Sequence, residues 1–162
     1  MKSKKFYLAL VIFSLVGQVA WVVENMYLNV FIYKMFHASA ADISLMVSAS
    51  SVAATLTTVL IGALSDYIGK RKIFICGGYL VWGVSILSFG LVKMEVLEPL
   101  CGSAVQAAAL GISLVIILDC IMTFFGSAAN DAAYNAWLTD KGDEGDRGKI
   151  GGFNSMMPLV AI

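Results

Sequence analysis

Charge is scarce in this chain, and what there is cancels. Of 162 residues only 14% are charged, with 11 Lys and Arg against 11 Asp and Glu, so the formal net charge is zero. Total charge therefore points to no nucleic-acid or acidic partner, and only the placement of charges is informative. Cysteine is sparse and odd in number: Cys76, Cys101 and Cys120, two of them in apolar segments, outline neither a disulfide framework nor a metal site and read as free thiols. The single histidine, His37, lies in a polar interval between apolar stretches. There is no Walker loop, no Ser/His/Asp arrangement and no Cys/His cluster, so an enzyme reading has little to stand on, and no cofactor or metal is expected. The acidic stretch Asp140 to Arg147 lacks the spacing and terminal glutamate of a calcium loop and reads as a solvated turn.

Apolar residues are abundant. They make up 59% of the chain, and the mean hydropathy of +0.84 describes an integral membrane protein. Four stretches, 6 to 33, 43 to 65, 73 to 92 and about 105 to 137, each reach the ~20 residues needed to cross a ~30 Å hydrocarbon core. The first is too long for a signal peptide and carries no small-residue cleavage site, so it is expected to be a membrane helix. A fifth apolar segment, 150 to 162, would make only ~20 Å of helix. The expectation is therefore a fragment whose fifth helix is truncated. The alternatives are a complete small membrane protein that works by helix association with a partner, or a self-assembling channel.

Of the 11 basic residues, Lys2, Lys4, Lys5, Lys70, Arg71, Lys72, Lys141, Arg147 and Lys149 fall in alternate flanks, and only Lys34 and Lys93 in the others. The positive-inside rule places the N-terminus, the turn at 66 to 72 and the loop at 138 to 149 in the cytoplasm, with the loops at 34 to 42 and 93 to 104 outside. The expected location is a prokaryotic plasma membrane.

Polar residues inside the apolar stretches are the candidate functional groups, because a carboxylate at bilayer depth costs several kcal/mol unless paired, protonated or hydrated. In the first stretch Gln18, Trp21, Asn25 and Asn29 share a helical face, with Glu24 beside them. In the fourth, Asp119, Thr123, Ser127, Asn130 and Tyr134 share a face, and Asp131 points about a third of a turn away. The second stretch carries Ser44, Ser48, Ser51, Thr55, Thr58 and Gly62 at spacings of three and four, a small-residue stripe that reads first as a helix-packing face and second as a pathway lining.

The turn after the second stretch reads Gly62-Ala-Leu-Ser-Asp66-Tyr67-Ile-Gly69-Lys70-Arg71-Lys72. A tight turn between antiparallel helices asks for Gly62 at a close approach and Gly69 at an unusual backbone angle, and Asp66 is placed to pair with Lys70 or to face a helix N-terminus. This frame resembles the signature loop between helices 2 and 3 of the major facilitator superfamily of secondary transporters, with Tyr67 departing from its usual basic residue. The resemblance implies an all-α polytopic bundle, here a partial N-terminal half, in which Gly62, Asp66, Gly69, Lys70 and Arg71 gate the cytoplasmic side. It also implies a small solute and a coupling H+ or cation bound against a second half, which this chain lacks, so transport by the chain alone is not expected. Asp131-x-x-Tyr134-Asn135-x-Trp137-Leu138 is similar to the helix 4 end of the glycoside-pentoside-hexuronide:cation symporters, which implies a cation role for Asp131. That branch's paired helix 2 acids would fall at Ala54 and Thr58 and its helix 1 acid near Gln18, none of which is charged here.

Overall fold

The computed structural model describes residues 4–141 and 145–162; Lys2 and the acidic-loop residues Asp143 and Glu144 lie outside them. The described residues are helical throughout their ordered elements, with no strand among them, and four helices are long and apolar enough to cross a membrane. These spans are Lys4–Phe36, Ala40–Ile68, Arg71–Leu91 and Ala104–Lys141. They form an antiparallel bundle, followed by a last helix, Arg147–Ala161, that packs along the first span.

Local chemistry sets the ends. Ser39 and Asp42 form a capping box before the second span: the Asp42 amide donates to Ser39 Oγ at 3.2 Å, and the Ser39 amide donates to Asp42 Oδ2 at 2.8 Å. Gly69 closes the same span in the left-handed conformation, φ 68°, which a side chain would resist. The interval 93 to 104, expected to be a loop, contains a short helix, Met94–Cys101, whose Leu97 is buried against the bundle. Its hydropathy is too patchy for a span, but one apolar edge is enough to dock it.

Two apolar cores lie at opposite ends. One joins Leu28, Ile32 and Phe36 to Met46, Trp82, Leu97 and Val115; the other joins Leu10 to Ile75, Tyr134, Leu138 and Ile150. The second core lies at the end that carries Lys4, Lys5, Lys70, Arg71, Lys72 and Lys141. Between the cores the helices meet through small residues and polar contacts. A side chain on Gly17 would collide with Asn130, one on Gly78 would meet Ala129 at 2.7 Å, and one on Gly126 would meet the Trp82 ring at 2.7 Å. Glycine here permits the close approach that packing in lipid relies on.

The small-residue stripe of the second span does not serve that purpose within this bundle. Ser44, Ser48, Ser51 and Thr55 are exposed, and a side chain added at Gly62 would meet nothing within 4 Å. The span buries another face instead, made of Met46, Ser50, Thr57 and Ser65. Spacing alone could not choose between the two, because both repeat with helical period. The stripe hydroxyls fold back on their own helix, Ser51 donating to the Val47 carbonyl at 2.7 Å and Thr55 to the Ser51 carbonyl at 2.9 Å.

Candidate functional site

Each of the two longest spans contains one widened, π-helical turn, Val23–Leu28 in the first and Ser127–Tyr134 in the fourth. Such turns leave backbone carbonyls out of the regular ladder and recur at functional sites. Around the turn in the first span two backbone carbonyls accept from side chains: Asn25 Nδ2 donates to the Trp21 carbonyl and Asn29 Nδ2 to the Asn25 carbonyl, both at 2.8 Å. Glu24 sits in this turn, and Asn130 and Asp131 sit in the other.

Beside the first turn is a cavity of about 140 Å³ between the first, second and fourth spans. Trp21, Glu24, Asn25 and Asn29 line one wall, Ser50 and Ser51 the second, and Asp119 and Thr123 the third. The Thr123 hydroxyl donates to Glu24 Oε1 at 2.9 Å. Glu24 Oε2, Asn29 Oδ1 and Asp119 Oδ1 are buried with no hydrogen-bond partner in the protein, and Asp119 is only 2% exposed. The Glu24 carboxylate feels the charges of both Asp119 and Asp131. Among the described residues no group of three or more acidic, histidine or cysteine side chains is arranged to hold a metal ion.

Asp131 and Asn130 belong to a neighbouring node rather than to the cavity wall. Asn130 Nδ2 donates to Asp131 Oδ1 at 3.0 Å, and the Tyr79 hydroxyl lies 2.9 Å from Asn130 Oδ1 and 3.1 Å from the Phe13 carbonyl. Trp21 adjoins Asp131 and also packs at a tilt of 51° against Trp82, ring centroids 5.2 Å apart, so one indole links node and cavity. Asp131 is therefore half-buried inside the bundle, well before the helix ends at Lys141, and not a capping group at the surface. Gln18 is half-buried and outside the cavity lining. Sequence reasoning missed Ser50, whose face was hidden behind the more regular stripe, and Tyr79, an isolated tyrosine in an apolar run.

At the basic end, Arg71 is the hub. Its Nη1 lies 2.6 Å from Asp66 Oδ1, and its Nε donates to Asp140 Oδ2 at 2.5 Å. Asp66 thus pairs with Arg71 and not with Lys70: the helix stops at Ile68, Gly69 turns the chain left-handed, and Lys70 is no longer one helical turn ahead of Asp66. Asp140 was not legible as a partner, being 69 residues away in the chain. A shallow cleft of about 620 Å³ lined by Asp66, Lys70, Arg71, Lys72, Trp137 and Asp140 opens at this end.

A bundle of membrane-length helices with buried acids on a cavity between three of them and a charge cluster at one rim fits the class of polytopic transport proteins. The model of the Major Facilitator Superfamily matches residues 6–161, and the chain belongs to that family. No curated protein and no solved structure matches the chain.

Proposed function

We propose that the chain supplies part of the N-terminal half of a secondary transporter that moves a small solute, coupled to H+ or a cation. The observation that carries this is the meeting of Glu24 and Asp119 on one cavity between three spans, without a basic partner among the described residues. Superfamily transporters bind their solute near the midplane between two halves that rock about it. On this reading the first and fourth spans line the pathway, Trp21, Asn25 and Gln18 belong to its wall, and the Asn130–Asp131 node couples ion occupancy to movement of the fourth span. The rim formed by Gly62, Asp66, Gly69, Lys70 and Arg71 latches the cytoplasmic side, with the N-terminus in the cytoplasm. The likeness of Asp131 to Trp137 to the glycoside-pentoside-hexuronide:cation symporters supports a symporter of that branch, while the uncharged Ala54, Thr58 and Gln18 argue for a differently built ion site.

The test is solute uptake in proteoliposomes under an imposed proton or sodium gradient. Vesicles that hold the chain joined to a second half are expected to accumulate solute, and Glu24→Gln or Asp119→Asn to abolish accumulation. Uptake indifferent to both substitutions would overturn the reading, and uptake by the chain alone would overturn the need for a second half. A second reading, a small membrane protein acting by helix association, is favoured by the exposed small-residue stripe of the second span.

A further inference from the structure

The polar atoms around the Glu24 cavity are lopsided in a way the transport reading does not require. Most donors are already engaged, each amide nitrogen through one of its two protons. The Asn25 and Asn29 amide nitrogens go to backbone carbonyls, which fixes their oxygens as the free ends. The Thr123 hydroxyl proton goes to Glu24, and that of Ser51 to the Val47 carbonyl. The Ser50 hydroxyl lies between the Val47 carbonyl, at 3.2 Å, and Asp119. The Trp21 indole adjoins Asp131. What remains unpartnered on this cavity is Glu24 Oε2, Asn29 Oδ1 and Asp119 Oδ1, all acceptors and all buried.

We propose that this cavity is a binding site for one small monovalent inorganic cation of the sodium type, with Glu24, Asn29 and Asp119 as direct oxygen ligands. Buried acceptors without donors are costly, and a hard cation satisfies several at once. Two carboxylates, one amide oxygen and the hydroxyl oxygens of Thr123 and Ser50 make an all-oxygen set. Divalent ions of this class draw on six or more oxygens and more carboxylate, whereas here the set stops at two acids. A cavity of about 140 Å³ also fits an ion with a few waters better than an organic solute, whose sites run to ~300 Å³ or more. The site differs from one centred on Asp131, which lies outside the cavity lining.

The assignment uses the same cavity as the transport reading but is tested by binding, so the two can fail separately. Purified chain in detergent micelles is titrated with radioactive Na+, and the fluorescence of a Trp137→Phe chain, dominated by Trp21 and its neighbour Trp82, follows the same titration. Saturable binding of about one Na+ per chain is expected, displaced by Li+ and not by choline. Glu24→Gln and Asp119→Asn should each weaken it at least tenfold, Asn29→Leu several-fold, and Glu98→Gln on the short helix not at all. Circular dichroism and gel filtration identify any variant that fails to fold, and Asn29→Leu then reports without altering a charge. No saturable Na+ binding, or binding that survives all three cavity substitutions, or loss in Asp131→Asn alone, would overturn the proposal. Proton-driven uptake by the chain joined to a second half, with no Na+ bound, would leave the transport reading intact and remove this one.

Discussion

Asp66 and Asp140 share one guanidinium at the basic rim, whereas Glu24 and Asp119 share a cavity with hydroxyls and amide oxygens and no cationic side chain among the described residues. The rim acids are more than half exposed, at 62% and 53%, so water screens them and their pairing is a minor stabiliser. Asp119 is 2% exposed, so its desolvation is uncompensated by any charge in the described chain. The same functional group thus serves two purposes. Paired and wet, it is a reversible fastening; dry and unpaired, it is a standing demand for a positive partner from outside.

That contrast can be broken by substitution. The largest expected effect comes from placing one bulky residue at each level: Gly17→Leu should prevent a monodisperse bundle, because the side chain would run into Asn130 and Tyr79, while Gly62→Leu near the rim should shift stability by less than about 0.5 kcal/mol. Gel filtration and thermal melts of the pair decide this, and equal behaviour would mean that the middle of the bundle is no more tightly packed than its edge. Next, Asp119→Leu should raise thermal stability by about 1 to 3 kcal/mol, since it removes a buried unpaired carboxylate, while abolishing cation-dependent uptake. A destabilised but active variant would contradict the account of the cavity.

Tyr79→Phe probes the neighbouring node and should cost about 0.5 to 1.5 kcal/mol in a denaturation series, the value of one hydrogen bond to Asn130. The smallest effect is predicted at the rim. Asp66→Asn should cost less than about 1 kcal/mol at low salt and nothing measurable at 1 M, where the screening length falls to ~3 Å. A salt-insensitive loss would show that Arg71 is held more rigidly than its surroundings suggest.

Much of this division was legible in the sequence. Apolar length alone identifies the four spans, because lipid demands it, and the cost of a buried carboxylate singles out Glu24 and Asp119 without any structure. The partners were harder to see. Which of two equally periodic faces the second span buries depends on what packs against it, so Ser50 stayed hidden behind Ser48 and Ser51. Arg71 and Asp140 meet only because the second-to-third turn and the end of the fourth span are at the same end of the bundle. Asp131, a third of a turn from Asn130 on an ideal helix, accepts a bond from it within the widened turn they share.

The two widened turns also have a meaning in terms of chain length. A π turn is an α turn with one residue too many, and removing a residue closes it. Because the turn absorbs its extra residue locally, what lies beyond the deletion would stay on its own face of the span. Deleting Met26 would leave Asn29 on its face of the first span, and deleting Ala132 would leave Trp137 and Asp140 on theirs, with Asp119 in place. At these two levels one codon could be lost without re-aiming the half-helix that follows, whereas the same loss in a regular α turn would swing it by about 100°.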